Sequence, residues 1–197
     1  MQKGFRDPNL YDIIEDISCD EAVDSARVVM GSIDFDPYSS EFANEFVQAK
    51  HFLTIKDDSI NPKEPWEGNT FVFPHYMRYD YNTEEHRYTK SPRFSTTTTS
   101  SSMIAFRNLY KFWCQGHVNQ AIFQVPSLQF LSSCQKTLDF PVCISRSRSY
   151  VYRKVDDELM YFPTKPMIYV YLPPKKGVDR AIQKFIDVYT GFGRVIA

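Results

Sequence analysis

No apolar run in this 197-residue chain approaches the roughly 20 residues needed to cross a bilayer, so no membrane span is expected. Charge of one sign is not in excess either. With 23 Lys and Arg against 24 Asp and Glu, the formal net charge is -1, and contact with nucleic acid would have to come from a local patch. The four cysteines, Cys19, Cys114, Cys134 and Cys143, lack Cys-x-x-Cys spacing, and the amino terminus lacks a basic-then-apolar leader. Reduced thiols and a cytoplasmic location are therefore expected. His51, His75, His86 and His117 show no paired ligand spacing, which leaves no expected metal site. Glycine is scarce, at seven residues, and none builds a phosphate loop, because Gly191-Phe192-Gly193 follows a helical pattern instead of opening one.

Aromatic residues are abundant, at 16%, and much of that content must be core. A chain of this length suits one globular domain that buries roughly 70% of its extended-chain surface. Residues 20–30 read as a helix, since Ala22, Val23, Ala26, Val29 and Met30 recur at three- and four-residue spacing and Gly31 supplies a stop. A short strand is expected at 33–35, a helix at 42–49, and a brief buried strand at 70–73 closed by Pro74. Residues 77–102 have little periodicity and end in an unbroken Ser/Thr run from 95 to 102, so a flexible loop is expected there. Helices are expected at 103–114, 128–134 and 178–189, and strands at 120–125, 140–145, 149–153 and 167–172. Alternating strands and helices imply a single α/β domain over 1–197 with a mostly parallel sheet. Consecutive strands near the carboxyl terminus permit an antiparallel member there.

Two segments carry a more specific signal. Ile33-Asp34-Phe35-Asp36-Pro37-Tyr38-Ser39 lies upstream of Trp66-Glu67-Gly68 and of Phe71-Val72-Phe73-Pro74-His75-Tyr76. Ala43-Asn44, Phe52 and Asp57-Asp58 fall between them in order. This arrangement resembles the phage-type DNA N6-adenine methyltransferase (Dam-like) family over nearly the whole chain, more loosely in the second half. The resemblance implies a methyltransferase-like, Rossmann-type fold with an antiparallel carboxyl-terminal strand, S-adenosylmethionine as cofactor and DNA as substrate. It aligns the family's catalytic Asn-Pro-Pro-Tyr with Phe73, Pro74, His75 and Tyr76, and it sets Asp34, Asp36, Pro37 and Asp58 against the cofactor.

The chemistry of that family explains why position 73 matters. An adenine amino nitrogen delocalises its lone pair into the ring and attacks a methyl sulfonium poorly unless acceptors hold the amino hydrogens. The family's Asn side chain and the next proline carbonyl are those acceptors, and the Tyr ring stacks on a base turned out of the duplex. Phe73 has no acceptor. Pro74 and Tyr76 keep the other two parts, and His75, which stands where the family has a second proline, is either a substitute acceptor or base or a histidine satisfied at a loop edge. The family's upstream Thr-Pro is replaced by Ser18-Cys19, and the glycine after the paired aspartates is lost. Asp36-Pro37 is also ordinary turn chemistry.

Basic and aromatic residues interleave in two places. Arg78, Arg87, Lys90 and Arg93 alternate with Tyr79, Tyr81, Tyr88 and Phe94, and Arg146, Arg148, Arg153 and Lys154 with Tyr150 and Tyr152. Such a mixture suits a flexible strand or flipped base, though Asp80, Glu84 and Glu85 dilute the first segment and an ordinary solvated loop explains it as well. Three functions stay open. The favoured one is a diverged, catalytically inactive methyltransferase-like protein, with or without surviving S-adenosylmethionine binding, that acts on DNA or a protein partner. The others are an active adenine methyltransferase using Pro74, Tyr76 and Asp58, and a protein-only effector that inhibits a host factor.

Overall fold

The computed structural model of the chain describes residues 17–54, 56–75, 77–91, 98–146, 149–155 and 158–197. In chain order these form β1 (Ile17–Ser18), α1 (Asp20–Met30), β2 (Phe35–Asp36), α2 (Glu41–Val47), β3 (His51–Phe52), β4 (Gly68–Val72), β5 (Arg78–Asn82), β6 (Arg87–Lys90) and β7 (Thr99–Ser100). There follow α3 (Ser101–Gln115), β8 (Val118–Val125), α4 (Gln129–Ser133), a 3-10 turn (Gln135–Asp139), β9 (Val142–Ser145), β10 (Tyr150–Val155), β11 (Glu158–Pro163), β12 (Ile168–Leu172), α5 (Val178–Tyr189) and β13 (Gly193–Ile196).

Seven strands build the central sheet in the order β13-β9-β12-β8-β4-β2-β3. The pairings from β3 through β2 and β4 to β8 are parallel, whereas β12 runs antiparallel to both β8 and β9, and β13 antiparallel to β9. The expectation of a mostly parallel sheet with one reversed strand is thus corrected to a mixed sheet, parallel on one side and antiparallel on the other. The physical reason is connectivity: parallel neighbours require crossover elements, and the chain after α4 supplies strands in succession.

Side chains alternate across this sheet and feed two cores. Val72, Ala121, Phe123 and Val170 face α3, which buries Ile104, Ala105, Phe106, Leu109 and Phe112 against them. Phe71, Ile122, Tyr169 and Tyr171 face α1 and α5, the first contributing Ala22, Val23, Ala26, Val29 and Met30. On that second face aromatic rings stack in a row, with Tyr171 on Phe185 at 5.0 Å and Phe185 on Tyr189 at 4.4 Å. The 3.6-residue period of α1 and the two-residue period of β4 account for both layers. Helix α1 ends at Gly31, whose φ of 87° lets its N–H reach the Arg27 carbonyl at 2.7 Å.

Smaller sheets flank this sandwich, β1-β10-β11 and β6-β5-β7. The second of these corrects the expectation of a loop over 77–102 at its described residues, 92–97 lying outside them: Tyr81 opposes Tyr88 in a hairpin, and Tyr79 pairs with Lys90 on one side and Thr99 on the other. The Ser/Thr run is not idle either. Ser100 caps α3 by accepting the Met103 N–H, and Ser101 and Ser102 are buried.

Gly193 opens β13 where the backbones are closest. A Cβ added there would lie 1.9 Å from the Ile144 carbonyl oxygen, on a strand whose position is fixed by pairing. Gly193→Ala is expected to lower the unfolding free energy by about 1 to 3 kcal/mol, the usual cost of overpacking, measured by urea denaturation. An unchanged midpoint would contradict the register.

Candidate functional site

The carboxyl ends of β2, β3 and β4 point the same way, and the segments leaving them enclose a cleft of about 220 Å³ lined chiefly by Pro37, Tyr38, Ser59, Ile60, His75 and Tyr79. The crevice outside the carboxyl ends of parallel strands is where open α/β sheets bind ligands. Thr54, Lys56, Asp57, Asp58 and Met77 complete the lining.

The loop from β3 is pinned from within. Thr54 donates through its N–H and hydroxyl to the Asp57 carboxylate at 2.8 and 3.0 Å, and Asp58 accepts the Asn61 N–H at 3.0 Å. Ser59 donates its hydroxyl to the Pro37 carbonyl, and Tyr38 donates to the Ser59 carbonyl at 3.3 Å. Asn61 then ties loop to hairpin: its side chain donates to the Tyr88 carbonyl at 2.9 Å and accepts the Tyr88 N–H at 2.7 Å. On the opposite wall the first turn of α3 holds the chain after β4. Ser101 donates its hydroxyl to the His75 carbonyl, and its N–H reaches the Met77 carbonyl at 2.9 Å. Neither Asn61 nor Ser101 was expected at the site. A Ser/Thr run directly before an apolar helix is an N-cap signature and was the signal available for Ser101.

Rings form the floor. Tyr38 stands edge-on to Trp66 at 5.9 Å and to His75 at 6.1 Å. Burial pushes the Tyr38 hydroxyl well above its ordinary value, and burial followed by the nearby Asp58 charge pushes Tyr79 up to about 12, so both phenols stay protonated donors near neutral pH. Asp57 and Asp58 are exposed at the rim beside the exposed Lys56. The hydroxyls of Thr54 and Ser59 are committed to Asp57 and Pro37. An apolar floor with a charged rim suits binding of a planar group that carries polar edges.

Compared with protein-family models, curated proteins and solved structures, the chain matches none.

The residues expected at the site divide between the two edges and two faces of the sheet. Pro37, Asp58 and His75 line the cleft. Phe73 does not: it is buried in the core facing α1 and α5, and Pro74 is buried beside it. Tyr76 lies outside the described residues. Asp36, expected at a solvent-open strand end, is only 3% exposed and accepts the Tyr38 N–H at 3.0 Å, so it shapes the turn under the cleft.

Asp34 sits before β2, at the amino edge of the sheet, away from the cleft. Its carboxylate pairs with Lys50 at 2.7 Å and accepts the Asn69 N–H at 2.9 Å and the Ser32 hydroxyl at 3.0 Å. Partial burial works to raise this carboxyl, but the hydrogen bonds from Lys50, Asn69 and Ser32 outweigh it and hold it below the ordinary value. The close approach also fixes Gly68, which has φ 71° and whose added Cβ would fall 2.8 Å from the Asp34 side chain.

The basic residues separate likewise. Arg78 is half-buried and donates to the Thr98 carbonyl at 3.4 Å, while Arg87 is exposed 3.6 Å from Glu85 and Lys90 is exposed at the end of β6. Arg107, on α3, donates to the Tyr88 hydroxyl at 3.2 Å and adds a cation to the hairpin that sequence reading missed. Arg146 is tied to the end of α5 through the Thr190 carbonyl at 3.2 Å, in a different part of the fold. Arg93 and Arg148 lie outside the described residues. Among the described residues no group of three His, Cys, Asp or Glu is placed to hold a metal ion.

Asp34 supplies a pH prediction. Its carboxyl lies below its unfolded value of about 4, so its stabilisation is present above that value and is lost as pH falls through the lower folded value. Asp34→Asn is expected to cost about 1 to 3 kcal/mol near pH 7. The difference from wild type should shrink as pH falls below about 4. Urea titrations of both proteins across pH check this, and a pH-independent difference would show that the ion is not the stabilising species.

Proposed function

We propose that this chain is a diverged relative of phage-type DNA adenine methyltransferases, that it keeps a ligand cleft of reduced size, and that it acts by binding DNA without transferring a methyl group. One observation carries the reading: at the end of β4, where that family presents an amide acceptor to the target amino group, Phe73 is packed into the hydrophobic core. Loss of one preorganised polar contact of this kind typically costs about a hundred- to a thousandfold in rate. The reversed β12 inside the central sheet accords with a methyltransferase-type architecture, and the cleft lies at the matching edge. Its volume of about 220 Å³ falls below the roughly 300 to 1,000 Å³ of typical ligand pockets, which suits a single ring system such as a nucleobase or the adenosine end of S-adenosylmethionine.

DNA is favoured over a protein partner because the hairpin that contributes Tyr79 to the cleft also carries Arg87, Lys90 and the exposed Tyr81, with Arg107 beside it. Cations beside exposed rings are the combination that grips phosphates and stacks bases.

Purified protein incubated with DNA and labelled S-adenosylmethionine is expected to transfer no methyl above background, and clear adenine methylation would overturn the proposal. Because Phe73 faces the core and not the cleft, Phe73→Asn combined with His75→Pro is expected to leave transfer at background even where calorimetry detects cofactor binding. DNA affinity should fall steeply as salt rises, and replacing Arg87 and Lys90 by Ala should flatten that dependence by up to about two phosphate contacts. Absence of binding to single- and double-stranded DNA at low salt would leave a protein partner as the function.

A further inference from the structure

The β1-β10-β11 sheet ends in an open edge of unusual composition. Among the described residues, strand β11 pairs with β10 on one side and with no strand on the other. It exposes Leu159 at 38%, Met160 at 44% and Tyr161 at 67%, beside Tyr150 of β10 at 53%. Exposed, apolar edge strands recruit another strand unless they are short, charged or covered.

Backbone direction along β11 follows from its register. Thr164 donates its N–H to the Ser149 carbonyl at 2.7 Å, so residues 164, 162, 160 and 158 turn their peptide groups toward β10. Leu159, Tyr161 and Pro163 therefore turn theirs outward. Pro163 has no N–H, so the outward donors within the strand are those of Leu159 and Tyr161.

We propose that this edge is a self-association site, at which β11 of one copy pairs antiparallel with β11 of a second copy about a two-fold axis near Tyr161. In that arrangement the two Tyr161 residues exchange their N–H and carbonyl groups, and each Leu159 N–H reaches the Pro163 carbonyl of the other copy. The proline then removes one donor and leaves every outward donor of the strand satisfied. Side chains are also self-complementary, since Met160 comes opposite Phe162 of the other copy. Charge supports a second copy as the occupant. The strand runs from an acidic end at Glu158 to a basic end at Lys165, and antiparallel pairing sets Glu158 of each copy near Lys165 of the other. A parallel arrangement would set like charges together.

Sedimentation equilibrium of the full chain between about 1 and about 100 µM tests this, a range that spans the affinity of small strand-addition interfaces. The expected result is reversible dimer formation, with a limiting mass twice that of the chain. Tyr161→Pro removes an outward N–H while leaving the inward bonds to β10 in place, so it should keep the circular dichroism spectrum and abolish the dimer. Leu159→Lys, which sets a cation at the edge without touching the backbone, should weaken association at least tenfold. A monomer throughout the range, an open-ended polymer, or a dimer that persists in a folded Tyr161→Pro variant would each overturn the proposal.

Discussion

A polar knot at the amino edge of the central sheet fixes how the layers meet. Asp34 accepts the backbone N–H of Asn69, whose side chain donates to the Met30 carbonyl at 3.1 Å and to the Ser32 hydroxyl at 3.2 Å. Gln120 donates to the same Met30 carbonyl at 3.0 Å and to the Asn69 side chain at 3.2 Å, and it accepts the Tyr171 hydroxyl at 2.6 Å. The end of α1 and strands β4, β8 and β12 are thereby joined, together with the turn into β2. Buried polar groups are costly when unpaired, so a network satisfied in one arrangement favours that arrangement over slipped registers. Gly68 follows from the knot, since only a residue without Cβ can pass Asp34 so closely.

Locking the amino edge leaves the carboxyl edge to be shaped by loops. Those loops are held by few but directional contacts, chiefly Asn61 to the hairpin and Ser101 to the chain after β4. The cleft walls are thus held by bonds within the chain, an arrangement that would reduce the ordering cost of binding a ligand. The same division separates the polar network from the cleft: Asp34 belongs to the first edge, and Asp58 and His75 to the second.

How much of this was legible in the sequence depended on the kind of force involved. Helices α1 and α5 were read residue for residue, because an apolar face repeating every 3.6 residues has one way to be buried. The β5–β6 hairpin was missed because its strands are half-exposed and rich in polar residues, so its inward residues, Tyr79 and Tyr88, are too few to set a period. Strand β11 was missed because it has no buried face to pattern. The end of the Ser/Thr run was misread because Ser100 and Ser101 commit their hydroxyls to the Met103 N–H and the His75 carbonyl, a use that leaves no apolar pattern. Pro37, Asp58 and His75, named by motif, do line the cleft, but an acidic residue near a strand end does not say which end. Asp34 and Asp36, two residues apart, lie at opposite ends of a two-residue strand and do different work.

The same point decides position 73. Residues 71 and 73 share one face of the sheet and residue 72 the other, so Phe73 continues the apolar layer that Phe71 begins, against α1 and α5. An amide at this position would have to be satisfied by a ligand or by a neighbouring polar group, and in an empty site it would stand partly desolvated at a cost of about 1 to 3 kcal/mol. Phenylalanine removes that demand and adds apolar burial worth roughly 1.5 to 3 kcal/mol. The core therefore gains from an apolar residue at this position. The turn beneath the cleft, with Asp36 bonded to Tyr38 and Ser59 to Pro37, is held by its own hydrogen bonds and does not depend on what stands at position 73.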